Sequence, residues 1–182
     1  MTIQIISTIG VLIIGLSGII STVWINRKLI VQKNREDEKK EIYKKLNEFY
    51  GPLILLRKKS QILYEIYSTN KRDNRTTLEV LLANELVEVN DKILLGEIVS
   101  IGQLCEDLIL NKSGLVDDKY LRLELLPKAI SHFYILREAF NHRIIQDFGR
   151  FGKYSFPFEL DSCLENGIEE LKRRLDYLNS IK

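Results

Sequence analysis

The 23 residues from Ile3 to Ile25 contain no Asp, Glu, Lys, Arg, His or Pro, and this run constrains the chain more than anything after it. As an α-helix it is about 34 Å long, enough to cross a hydrocarbon core of about 30 Å with modest tilt. A buried core helix rarely needs so long an uncharged stretch, so the sequence predicts a transmembrane helix over 1–26. On a helical wheel the segment has two unlike sides. Gln4, Ser7, Thr8, Gly10, Gly15, Ser17, Gly18, Ser21 and Thr22 share one half of the circumference. Ile5, Ile6, Ile9, Leu12, Ile13, Leu16, Ile19, Ile20, Val23 and Trp24 occupy the other. Large apolar side chains suit lipid, whereas small ones let backbones approach closely and their hydroxyls bond across the contact. The face formed by Ser7, Gly10, Gly15, Ser17, Gly18, Ser21 and Thr22 is therefore the expected homo-oligomer or pore-lining face. Ile3, Val11, Ile14 and Ile25 lie on the same side, so a lumen there is partly apolar. The simpler alternative is a single-pass anchor whose hydroxyls bond their own preceding carbonyls.

The flanks orient the segment. No Lys or Arg precedes the run, and Arg27, Lys28, Lys33 and Arg35 follow it. The positive-inside rule thus places 27–182 in the cytoplasm, with the lipid membrane as the first partner and Trp24 at the inner interface. From Gln32 to Glu41 there is no apolar side chain. Residues 27–41 read as a charged juxtamembrane stalk, either a solvated helix carrying Glu36–Lys40 and Glu41–Lys45 pairs or a flexible linker.

Residues 42–182 read as one cytoplasmic helical domain. Three Pro and ten Gly in 182 residues, with Leu, Ile, Lys and Glu dominant, point to an all-α fold. The net charge of +2 gives no strong nucleic-acid signal. Cys105 and Cys163 lack metal spacing and read as reduced thiols, so neither a metal nor another cofactor is expected. A helix beginning at Ile42 is broken or kinked by Gly51-Pro52. The next, Leu53 to Tyr67, presents Arg57, Lys58 and Lys59 outward. A polar loop over 68–77 ends in a capping Thr, and Leu78 to Leu110 is helical with an interruption near Asn90-Asp91. Asn111 to Asp118 is a loop with a capping Asp, and Tyr120 to Phe148 is a long helix with Pro127 as a kink or fresh start. Residues 149–157 are irregular, and Phe158 to Ile181 closes the chain as a helix. The acidic residues are expected on outward, solvated faces.

Chemistry is sparse. The two histidines are His132, which reads as structural, and His142, which follows Arg137 in an Arg-x4-His pattern. In metal-independent RNA cleavage a His exchanges protons with the ribose hydroxyl or the leaving oxygen while an Arg holds the phosphate. Arg137 and His142 are accordingly the candidate catalytic pair. An amphipathic core helix with a surface Arg and His produces the same spacing. No Gly-rich phosphate loop or nucleophile motif is present.

The combination of one N-terminal membrane helix, a small all-α cytoplasmic domain and Arg137-x4-His142 resembles the accessory membrane proteins encoded beside the RNA-guided RNase of type VI-B CRISPR systems. That resemblance implies a HEPN-like helical bundle in the bacterial inner membrane. It also implies assembly into a ring-shaped pore that depolarises the cell and enhances antiviral defence, with the RNA-guided RNase as a functional partner. Active HEPN ribonucleases usually carry Asn, His or Asp after the Arg; here Glu138 stands there, and its charge opposes a phosphate. The departure favours a HEPN-derived fold used for assembly. A membrane-tethered HEPN-type endoribonuclease and a non-catalytic tether for a partner protein are the alternatives.

Overall fold

The structure is a computed structural model that describes residues 2–69, 75–83 and 88–181, with side chains from Thr22 onward. Among the described residues there are helices, turns and loops and no strand, which is the all-α class the composition predicts. Helix α1 (Thr2–Lys45) runs for 44 residues, so the stalk 27–41 is a continuous part of it and not a flexible linker. From Thr22 to Asn34 every residue of α1 is exposed, including Val23, Trp24, Ile25, Leu29, Ile30 and Val31. Among the described side chains of α1, Ile42 is the first that is buried. Among the described residues no helix is long and apolar enough to cross a membrane. The side chains of 1–21, which carry most of the predicted membrane segment and all of its small-residue face except Thr22, lie outside the described residues.

Gly51-Pro52 does not break the chain's helical course. α1 passes through a π-helical turn, Leu46–Tyr50, straight into α2 (Gly51–Ser68), and the Gly51 N–H donates to the Leu46 carbonyl. Pro52 has no N–H for the Glu48 carbonyl, and its ring would crowd that oxygen in a regular helix. One extra residue in the turn relieves both problems. The device recurs at Leu121–Leu125, where the Leu126 N–H donates to the Leu121 carbonyl just before Pro127. α5 (Leu126–Phe140) follows.

Both π turns pack on α7 (Glu159–Ser180). A Cβ on Gly167 of α7 would lie 2.6 Å from Tyr50 Cε1, so the approach of these two helices requires glycine there. Burial pushes the Tyr50 hydroxyl up to about 12. α3 (Thr77–Ala83) and α4 (Val89–Lys112) complete the bundle, with α4 packed between α2 and α5. Phe49, Leu53, Ile101, Leu121, Leu125 and Leu160 centre one core cluster; Tyr67, Leu78, Leu82, Leu95 and Leu136 centre the other. Cys105 is buried in the first, where desolvation raises its thiol to about 12 and makes it unreactive. Cys163 is half-buried, and both thiols are free.

The caps explain where helices start and stop. Thr76 Oγ1 accepts from the Glu79 N–H at 3.3 Å while Glu79 Oε2 accepts from the Thr76 N–H at 2.6 Å, a capping box. Asp118 Oδ1 accepts from the Leu121 N–H at 2.8 Å, as predicted. The interruption expected near Asn90-Asp91 has its described edge at Glu88, the extended residue that precedes α4. Two boundaries differ from the sequence reading. α4 continues to Lys112, and α5 ends at Phe140 instead of running on to Phe148. The irregular stretch therefore begins at Asn141, and 149–157 instead contains most of a short helix, α6 (Phe148–Phe151), and a 3-10 turn.

α1 is tied to the bundle by ions. Lys45 Nζ lies 2.6 Å from Asp117 and 2.8 Å from Glu41. Burial alone would lower the Lys45 pKa, but these hydrogen bonds outweigh it and hold it above its ordinary value. Further toward the N-terminal end of α1, Arg174 of α7 makes a two-point contact with Glu38 at 2.6 and 3.0 Å.

Candidate functional site

The predicted pair, Arg137 and His142, is divided by the end of α5. Arg137 lies in the last turn, half-buried, with Nη1 2.7 Å from Glu106 Oε2 and Nε 3.8 Å from Glu138 Oε1. Glu138 also faces Arg143 at 3.2 Å. A phosphate reaching Arg137 would have to displace Glu106 and approach a second carboxylate. His142 lies beyond the helix at φ 55°, exposed. Its N–H donates to the Ala139 carbonyl at 3.0 Å and the Arg143 N–H to the Glu138 carbonyl at 2.9 Å. These are the two bonds of a Schellman terminator, with His142 in the left-handed position where glycine is usual. Among the described residues no hydrogen bond or ion pair joins Arg137 to His142. Both residues thus have a structural reason to be where they are.

The basic triplet of α2 is where the sequence reading needs correction. Arg57 does not face outward: it is 8% exposed, with Nε 3.0 Å from Asp161 Oδ1 and Nη2 3.1 Å from Asp161 Oδ2. Its guanidinium carbon lies 3.6 Å from the Phe156 ring centroid, a desolvated cation–π contact. Gln61 Nε2 donates to Asp161 at 2.6 Å. Lys58 and Lys59 are exposed but paired, with Glu165 at 3.1 Å and Glu97 at 2.6 Å. Asp161, Glu106 and Glu138 likewise have largely covered side chains, so these carboxylates are not simply solvated.

Arg57 and Asp161 border a cavity of about 360 Å³ between α2, α3, α5 and the start of α7. His132 lines it and is 9% exposed. His132 Nδ1 lies 2.9 Å from the Tyr154 carbonyl, and the ring meets Phe133 and Phe156 edge-on at centroid distances of 5.8 and 5.6 Å. A carbonyl only accepts, so Nδ1 carries the proton. Burial lowers the His132 pKa, outweighing the raising effect of the Tyr154 bond; the nearby Arg57 charge lowers it too. The ring is neutral, and its Nε2 is an acceptor. The sequence held one sign of this site. Arg57 sits four residues after Leu53, in phase with the buried stripe of α2, although its partner Asp161 is 104 positions away.

A second surface feature lies on the outer side of α2 and α4. Lys59–Glu97 and Glu48–Lys112 pairs show that these helices run antiparallel. Leu55, Ile62 and Ile66 of α2 and Ile93 and Leu104 of α4 are each more than half exposed beside the Lys59–Glu97 pair. They form an apolar strip with one ion pair near its middle.

Fold and site together define an all-α bundle carried on a long N-terminal helix, with a part-polar cavity at the start of α7. Compared with protein-family models, with curated proteins and with solved structures, the chain has no match in any of the three.

Proposed function

We propose that this protein is a self-assembling membrane effector whose N-terminal helices pack into a pore and whose bundles hold those helices in register. The observation that carries the reading is the unbroken course of α1 from the uncharged run through the stalk to buried Ile42 and Lys45. A continuous helix couples the rotation of a membrane segment to the bundle, which a flexible linker cannot do. Residues 22–34 are exposed, beside only the end of α7 at Leu178 and Ile181, as suits a helix whose surroundings are lipid, water and other copies. The strip on α2 and α4 supports contact between bundles. Facing a second copy with α2 over the partner's α4 brings Lys59 opposite Glu97 and apolar residues opposite apolar ones. The resemblance in architecture supplies the biological setting, membrane depolarisation alongside an RNA-guided RNase. Arg137 and His142 enter as the stabilised end of α5, so assembly and not RNA cleavage is the activity proposed.

Crosslinking in native vesicles, run alongside a membrane-potential dye on expressing cells, tests this. The full chain should give discrete oligomers and depolarise cells, and Gly15→Leu with Gly18→Leu should reduce both, while His142→Ala leaves both intact. Recovery of monomers alone overturns the proposal. So does undiminished depolarisation after 1–26 is exchanged for an unrelated membrane anchor, which is the result a simple tether gives.

A further inference from the structure

The cavity beside Arg57 is built like a binding site, and its chemistry restricts the ligand. Among the described lining residues Arg57 is the one cation and Asp161 the one carboxylate, and they neutralise each other in a two-point bond. A phosphate or carboxylate ligand would have to break that bond to find a counter-charge, and a free amine would have to compete with Arg57 for Asp161. Charged ligands are disfavoured. The walls offer flat rings, Phe133, Phe156 and Phe158, the last 75% exposed at the rim. Such walls suit a planar ring stacked or edge-on.

Polar groups set the orientation. His132 Nε2 has no hydrogen-bond partner among the described residues, yet no partnerless side-chain nitrogen or oxygen is sealed off from solvent. Nε2 therefore retains access, and the cavity that His132 lines is what it opens on. A neutral imidazole in that position asks for a donor. Asp161, already accepting from Arg57 and Gln61, has lone pairs left for another. The volume, about 360 Å³, lies at the lower end of the range for small-molecule sites.

We infer that this cavity binds an uncharged, planar heteroaromatic molecule of nucleobase or nucleoside size that carries an amino donor, with the donor directed to His132 Nε2. The inference does not depend on pore formation, because the site lies wholly within the bundle.

Calorimetry on the full chain in mild detergent, with adenosine and cytidine as probes, tests it. At least one nucleoside should bind and raise the unfolding temperature. N6,N6-dimethyladenosine, which lacks the donor, should bind about tenfold more weakly than adenosine, the scale of one lost hydrogen bond. His132→Phe should weaken nucleoside binding similarly, and adenosine monophosphate should bind no more tightly than adenosine. Three results overturn the inference: neither nucleoside binds, the dimethylated probe binds as well as adenosine, or the monophosphate binds better. The probe comparisons hold whether or not the His132 variant folds.

Discussion

Two arginines, Arg57 near the middle of α2 and Arg137 near the end of α5, meet carboxylates in different surroundings. Arg57 is bidentate to Asp161 and stacked on Phe156, with its side chain 10% exposed. Arg137 makes its short contact to Glu106 through one nitrogen, and its side chain remains 25% exposed. An interior cation depends wholly on its partner, whereas one with a path to water has a substitute when the partner is lost. The residue with the recognisable motif is the less constrained of the two. The residue that looked solvated is the one around which a cavity is built.

That contrast sets the scale of its tests. Asp161→Ala leaves the Arg57 guanidinium buried and unpaired, and should destabilise the bundle by about 3–5 kcal/mol in urea unfolding of the full chain in detergent. The double variant Arg57→Met, Asp161→Leu should recover most of that loss. A small effect of Asp161→Ala would mean that Arg57 reaches water, and the contrast with Arg137 would vanish.

His132 tests the same interior through pH. Its folded pKa is below the ordinary 6.5, so as pH falls the unfolded chain takes up the proton first. The stability tied to neutral His132 is intact above pH 6.5 and declines below it, by up to about 1.4 kcal/mol per pH unit. Unfolding measured from pH 7.5 to 5, as an order-of-magnitude window around that value, should show a shallower decline in His132→Phe than in the parent. Equal slopes would mean that the folded chain takes up the His132 proton as readily as the unfolded one.

Smaller effects belong to the end of α5. Glu106→Gln should destabilise by about 1 kcal/mol, because the Arg137 side chain is 25% exposed and keeps access to solvent. His142→Gly should raise stability by about 0.5 kcal/mol, since glycine takes the left-handed cap position without a Cβ penalty. A lower midpoint for that variant in a thermal scan would give the imidazole a role that the cap does not need.

Much of the fold followed from local patterns. The helical course of α7 and the capping Asp118 are written within a few turns of helix. The Gly51-Pro52 and Leu126-Pro127 junctions were harder to read. Proline forbids a regular turn, but only the packing of both turns on α7 selects a π turn over a break. The end of α5 was misplaced because helix-forming residues continue past Phe140, and no glycine marks the left-handed position that His142 fills.

The amino-acid sequence by itself determined the all-α class, the uncharged N-terminal run with its small-residue side, and the capping Asp118. These depend on periodicity and on groups three or four residues apart. Tertiary structure alone decided that Arg57 is interior, that Asp161 faces it across 104 positions, and that His132 opens on the cavity they border. Charge and burial at those residues are properties of what packs against them, and no local spacing encodes a neighbour so far along the chain.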